Sequence, residues 1–234
     1  GPLIMTGDLE TGIRITPVDM TQVGVDVDTD SDPDYEFSEL YRWSDLLGIE
    51  YTWEGLFGSA ANFEVGYSAI ETADGGFVST GWSNTGFTNG LDFMILRTNA
   101  AGQEKWTKYL GGTDDEYGMA IRRTDDGGYV VAGYVEASSN YGVVYKVDPD
   151  GNEVWNRPLS SVPASQVYDI ITTSDGGYLA AGYRDSNTTA GFGWQDLYLA
   201  KLNADGTIAW ENVYGGTYMD KGYSVIEVNS GGYI

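Results

Sequence analysis

An all-β fold built from repeated four-stranded antiparallel modules is the class this sequence predicts, and three observations predict it. Trp53, Trp106, Trp155 and Trp210 recur at spacings of 53, 49 and 55 residues. A turn motif keeps the same period: Asp74-Gly75-Gly76-Phe77, Asp126-Gly127-Gly128-Tyr129, Asp175-Gly176-Gly177-Tyr178 and a weaker Ser230-Gly231-Gly232-Tyr233. Self-similarity at a fixed period of this size marks stacked supersecondary units. Finally, 33 glycines and 18 tyrosines in 234 residues favour short strands and tight turns over helical bundles.

Alignment on the Gly-Gly pair gives the content of each module. The first strand carries Tyr67, Met119, Tyr168 and Tyr223 in one register, with Ala69, Ile121, Ile170 and Val225 two residues later on the same expected face. The Asp-Gly-Gly step supplies the positive φ angles that a tight hairpin needs. A second strand follows as Phe77–Trp82, Tyr129–Tyr134 and Tyr178–Tyr183, with Gly81, Gly133 and Gly182 at a point of close backbone approach. Variable loops, Ser83–Leu91, Glu136–Tyr141 and Arg184–Gln195, lead to a third strand such as Asp196–Leu202. Arg97, Lys146 and Lys201 share a register there, each nine residues before its tryptophan, and a carboxylate partner in each module is expected. A second hairpin, Asn99–Gly102, Asp148–Gly151 or Asn203–Gly206, then opens the tryptophan strand.

Four short antiparallel strands in about fifty residues are the content of one propeller blade. The predicted fold is therefore a small β-propeller of about four blades, with repeats at 65–116, 117–166 and 167–220. Glu50–Gly58 matches only the last strand of a repeat, and residues 221–234 match only the first two. Segments 50–64 and 221–234 are thus expected to form a closing blade that lacks its third strand. Mixing the two termini in one blade removes exposed strand edges. Residues 1–49 read as an N-terminal extended arm with a short helix, Ser38–Leu47. In that arm Ile13/Ile15 and Val23/Val25/Val27 alternate with polar residues, as half-buried strands do. The arm is expected to complete the closing blade, in its own chain or in a neighbour by strand addition.

The Ser/Thr-x-Asp-Gly-Gly-Tyr hairpin and the Asp-x-x-Gly-x-x-x-Trp turn resemble the repeats of bacterial and archaeal surface-protein β-propellers. The likeness covers residues 50–234 and extends more loosely to the propeller repeats of quinone-binding dehydrogenases, whose tryptophans dock successive blades. The resemblance implies an extracellular or cell-surface setting and no defined activity, because propellers host many functions.

Charge and composition remove several function classes. With 35 acidic and 12 basic residues the net charge is -23, which repels phosphate backbones and anionic lipid. No nucleic-acid partner and no membrane insertion are expected, and no apolar stretch is long enough to span a bilayer as a helix. Without cysteine there is no thiolate nucleophile, disulfide or Cys-ligated metal, and without histidine no Ser-His-Asp triad or imidazole base. The opening Gly1-Pro2-Leu3-Ile4-Met5 has neither the basic start nor the apolar run of a signal peptide. It reads as a protease scar or as the start of a processed chain.

The densest chemical constellation lies in the arm. Counted from Asp28, oxygen ligands fall at loop positions 1, 3, 5, 9 and 12: Asp28, Asp30, Asp32, Glu36 and Glu39. Calcium needs such hard-oxygen clusters to replace its hydration shell, so Ca2+ is the candidate cofactor. Pro33 stands where such loops carry glycine, and no entering helix is evident; a solvated acidic linker is the competing reading. Asp148-Pro149-Asp150-Gly151-Asn152 is read as a plain turn, and the repeated tryptophans as inter-blade packing. Asn187-Thr188-Thr189 is an acceptor sequon for N-glycosylation.

Three function classes remain. The expected one is a non-catalytic structural protein that self-associates, building a filament or lattice by strand addition. A glycan- or protein-binding module working through its variable loops is the alternative. A quinone- or carboxylate-dependent enzyme is the third, disfavoured because a quinone site ordinarily needs more blades and no carboxylate pair stands out.

Overall fold

The computed structural model describes residues 13–17, 23–27, 40–41, 57, 63–84, 90–159, 165–185, 195–229 and 231–234. The chain divides into two compact units, Gly1–Glu54 and Gly55–Ile234. Among the described residues the structure is all-β, and no helix is long and apolar enough to cross a membrane.

In the first unit β1 (Ile13–Pro17), β2 (Val23–Val27) and β3 (Leu40–Tyr41) form one antiparallel sheet in the order β1-β2-β3. Ile13, Ile15 and Pro17 face Val27, Val25 and Val23 across the first pair. Pro17 thus sits in an edge strand, where a missing N–H costs least. The two alternating segments are strands as expected. The short helix is corrected at Leu40 and Tyr41, which are extended and pair with Gly24 and Val23. The edge of β2 gives their backbone groups partners that a single helical turn would have to supply alone. The remainder of Ser38–Leu47 lies outside the described residues.

The second unit contains three four-stranded antiparallel sheets, each a sequential meander. The first holds β4 (Glu64–Glu71), β5 (Phe77–Ser83), β6 (Asp92–Thr98) and β7 (Glu104–Leu110). The second holds β8 (Asp115–Arg123), β9 (Tyr129–Glu136), β10 (Tyr141–Val147) and β11 (Glu153–Leu159). The third holds β12 (Ser165–Thr172), β13 (Tyr178–Arg184), β14 (Asp196–Leu202) and β15 (Ile208–Tyr214). None of the sheets closes on itself. After β15, Ile226 and Ile234 exchange backbone bonds of 2.8 and 3.0 Å around a turn that bonds Gly231 N–H to Val228 O, so the chain forms one more, irregular hairpin there.

The Gly-Gly turns are built alike. In the first sheet Gly75 N–H donates to Thr72 O at 3.0 Å, Thr72 N–H donates to Gly76 O at 2.8 Å, and Thr72 Oγ1 donates to Asp74 at 2.7 Å. Gly75, Gly127 and Gly176 hold φ angles of 75°, 82° and 81°, a region that side chains other than glycine seldom enter. Gly81, Gly133 and Gly182 lie against the carbonyls of Val65, Tyr117 and Gln166, where a Cβ would collide. That close approach accompanies a bulge repeated in all three sheets, between Gly66 and Ser68, Gly118 and Ala120, and Val167 and Asp169. The bulge corrects the expected period-2 register. Tyr168 is displaced to the sheet's aromatic side while Ile170 enters the core.

Buried side chains form layers between consecutive sheets. Val78, Phe93, Ile95, Tyr129, Val131 and Tyr145 fill the layer between the first two sheets. Val130, Ala132, Ile170, Tyr178, Ala180 and Tyr198 fill the next, and Leu179, Ala181 and Val225 a third. Alternate residues of β9 and β13 therefore enter different layers. This is why those strands read as continuous apolar runs rather than alternating ones.

Candidate functional site

Asp28, Asp30, Asp32, Glu36 and Glu39 lie outside the described residues. Among the described residues no three acidic side chains converge closely enough to hold a metal ion. The Asp148 turn is a plain turn in its geometry. Asp148 Oδ1 accepts from Asp150 N–H at 2.9 Å and Asn152 N–H at 2.8 Å, just as Asn99 Oδ1 accepts from Ala101 and Gln103.

The cationic register pairs with the turn aspartates. Arg97 contacts Asp74 at 2.5 Å, Lys146 contacts Asp126 at 2.9 Å and Lys201 contacts Asp175 at 2.9 Å. Each cation also donates to the next carbonyl in its own strand, at Thr98, Val147 or Leu202. These charges are consumed by the hairpins, which leaves them little freedom to receive a ligand. Bonds from Lys105, Thr72 and Arg97 hold Asp74 well below the usual carboxylate range. Bonds from Thr173 and Lys201 hold Asp175 at about 2, against an ordinary 3.8. A folded-state carboxyl that titrates low contributes stability above its unfolded value, and that contribution is lost as pH falls toward 2. Asp175 is 62 % exposed, so the contribution is small. Asp175→Asn is expected to flatten part of the acid-side fall in melting temperature; identical profiles for both proteins would exclude the pair as a source of acid sensitivity.

The tryptophans dock successive modules. Trp106 lies edge-on to Tyr129 at 6.5 Å, Trp155 meets Tyr178 at 5.9 Å and Trp210 meets Tyr233 at 6.3 Å. In each pair the partner is the aromatic that follows the next module's Gly-Gly turn. The rings also rest on the next module's second hairpin: a Cβ on Gly151 or Gly206 would lie 2.8 Å from the ring of Trp106 or Trp155.

Two features were not visible as sites in the sequence. The first is an aromatic ladder across the three sheets. Trp82 stands edge-on to Tyr117 at 6.3 Å, Tyr117 stacks on Tyr134 at 4.8 Å, and Tyr134 meets Tyr168 at 6.4 Å. Tyr168 continues to Tyr183 at 5.9 Å and Tyr223 at 5.1 Å, and Lys221 Nζ sits 4.3 Å over the Tyr183 ring. Burial, with the Glu136 charge nearby, pushes the Tyr117 phenol up to about 12, so it is neutral across the physiological range. The bulge of the third sheet brings Tyr168 into this ladder.

The second feature is the distribution of exposed apolar side chains. Phe63, Tyr67 and Phe77 belong to the first sheet or its approach. Ile208, Val213, Tyr214, Tyr218, Met219, Tyr223, Ile226 and Ile234 belong to the third sheet and the C-terminal segment beyond it. The middle sheet contributes only Val154 among the described residues. Surface that the middle sheet covers on both sides is thus left open at either end of the series. A cleft of about 530 Å³ between the first two sheets, lined by Asp74, Arg97, Trp106, Arg123 and Tyr129, adds no reactive pair.

The chain matches no protein-family model and no curated protein.

Proposed function

We propose that the protein is a non-catalytic structural component of an extracellular or cell-surface assembly. In this reading its modules form a small propeller of about four blades, and strand addition at the open seam joins copies into a filament or lattice. The observation that carries the reading is the concentration of large exposed apolar side chains in the first and third sheets and the C-terminal segment, with Val154 alone on the middle sheet among the described residues. Exposed apolar surface gathered at the ends of such a series supports an interaction face there. The terminal hairpin supports it further. Its Val225 and Tyr233 pack against Leu179, Ala181 and Trp210, as the first half of another module would. The strand-forming arm is the proposed donor, and calcium bound in the Asp28–Glu39 segment would stiffen its attachment.

Tyr67→Asp and Ile226→Asp test this reading, because both side chains are already exposed and their replacement spares the core. Wild-type protein is expected to show concentration-dependent association by light scattering and regular fibres or sheets by negative stain. Each variant is expected to remain smaller at the same concentration with an unchanged melting temperature. A wild-type monomer at every concentration, with no assembly under the microscope, would overturn the proposal. The aromatic ladder favours a second reading, a glycan-binding module, since ring faces stack on sugars. Discrete particles that retain a polysaccharide on an affinity column, and lose it in Tyr134→Ala, would select that reading.

A further inference from the structure

At two joints between consecutive modules the same arrangement recurs. The third strand of one module opens on a buried aspartate, Asp92 in β6 or Asp196 in β14. The chain then leaves the fourth strand through Gly111-Gly112 or Gly215-Gly216, and an acid, Glu116 or Asp220, opens the next module. Gly112 N–H donates to Glu116 Oε1 at 2.8 Å and Gly216 N–H donates to Asp220 Oδ2 at 3.0 Å. Glu116 N–H donates to Leu91 O at 2.6 Å and Asp220 N–H donates to Gln195 O at 2.7 Å. The two joints thus share both bonds and differ in that Glu116 is buried whereas Asp220 is exposed.

The joint between the second and third sheets keeps one of these backbone bonds and discards the acids. Ser165 N–H donates to Asn140 O at 3.1 Å, in the pattern of Glu116 and Asp220. Tyr141 replaces the buried aspartate, Ser160-Ser161 replaces the glycine pair, and Ser165 Oγ accepts from Gly142 N–H at 3.0 Å. The two acids and the glycine pair are therefore present together or absent together within one chain. A backbone requirement alone would not exchange all of them at once.

At the two acidic joints carboxylate oxygens lack donors. Asp196 is fully buried and neither of its oxygens accepts a hydrogen bond. Glu116 is 3 % exposed and its Oε2 has no partner, while Oε1 holds Gly112. These oxygens face the glycine backbone. A Cβ on Gly111 would lie 2.5 Å from Glu116 Oε2 and 3.0 Å from Asp92 Oδ1, and one on Gly215 would collide with Asp196 Oδ1. Buried carboxylates left without donors are costly unless a proton or a cation compensates them.

We propose that each of these two joints binds a divalent cation, calcium by preference, between Asp92 and Glu116 and between Asp196 and Asp220. Oxygen-only donors select calcium or magnesium over softer metals, and calcium tolerates the less regular geometry. Two carboxylates per joint leave the rest of the shell to backbone carbonyls and water. Affinity is therefore expected in the weak range of extracellular calcium modules, roughly 10⁻⁴–10⁻³ M. The bound ion would cross-link one module's third strand to the next module's first strand.

Calcium titration of the chelator-stripped full chain tests the proposal, with heat and melting temperature as readouts and magnesium as the comparison ion. Glu116→Gln and Asp196→Asn remove one charge from each joint, and Asp28/Asp30/Asp32→Asn disables the separate loop candidate. Wild type is expected to gain melting temperature with calcium. Each joint variant should lose part of that gain and one bound ion, and the double variant both ions, whereas the loop variant keeps them. The joint variants should fold without metal at least as well as wild type, because a buried charge has been removed. Calcium responses unchanged in both joint variants would overturn the proposal. So would a wild type indifferent to calcium alongside variants that are simply more stable, the result expected if protons alone neutralise these acids.

Discussion

Asp169→Ala is expected to destabilise the protein by about 3–5 kcal/mol, the range for breaking a buried, hydrogen-bonded ion pair from one side. Asp169 is 5 % exposed in β12, and its carboxylate gathers groups from three successive modules. Arg122 Nη2 of β8 donates to it at 2.6 Å, Ser224 Oγ at 3.0 Å and Val225 N–H at 3.0 Å. Its own module supplies Ile170 N–H at 2.9 Å. Alanine leaves the Val225 amide without its acceptor in a buried place, and that desolvation is not recovered. Arg122→Ala is the milder change, because the carboxylate it leaves behind still accepts from Ile170, Ser224 and Val225. Asp169→Asn keeps an acceptor for Val225 and should fall between them. Urea denaturation with unchanged m-values measures all three, and a loss under about 1 kcal/mol for the alanine variant would show that water replaces these bonds readily.

Phe93→Ala is expected to cost a similar 3–5 kcal/mol, from lost burial and from the cavity left behind. Phe93 is fully buried and meets Tyr145 edge-on at 5.2 Å. Its ring also lies above two glycines of the next sheet: a Cβ on Gly118 or Gly133 would sit 2.8 Å from it. Those glycines cannot fill the vacated space, so the site collapses poorly. Phe93→Leu should recover much of the loss, since it restores most of the volume. Equal stability of the alanine and leucine variants would mean that the layer between the first two sheets repacks freely.

The hairpins and the docking tryptophans were legible in the sequence because each rests on a residue type with one dominant physical reason. Glycine permits the φ of Gly75, Gly127 and Gly176, and a ring as large as Trp106 needs a neighbour to cover it. The Arg97/Lys146/Lys201 register announced its pairing because each of these three modules carries an aspartate immediately before its Gly-Gly pair. The bulge at Tyr67, Met119 and Tyr168 left no such mark, since one inserted residue changes register without changing composition. The aromatic ladder was hidden for the same reason. Asp169 was detectable in principle as a charge where the other modules carry Ser68, Ala120 and Ser224. Asp92 and Glu116 were not, because 24 residues separate them and only the turn through Gly111, which lies against both carboxyls, brings them together. In the arm, Leu40 and Tyr41 fit a helical pattern too short to decide the matter, and pairing with β2 decided it.

Trp106, Trp155 and Trp210 each reach forward onto the leading hairpin of the module that follows. The series consequently has a direction: at each of these three junctions a ring leaves the trailing strand of one module and lies beneath the leading turn of the next. The ring and the turn that receives it recur at each of these junctions, so an extra copy of residues 117–166 spliced into the chain would find the same aromatic contact on both flanks. Lengthening by duplication then reuses that contact, while the core layer and the acidic or serine joint have to be matched anew. That is a plain route by which a chain of this kind acquires or sheds modules.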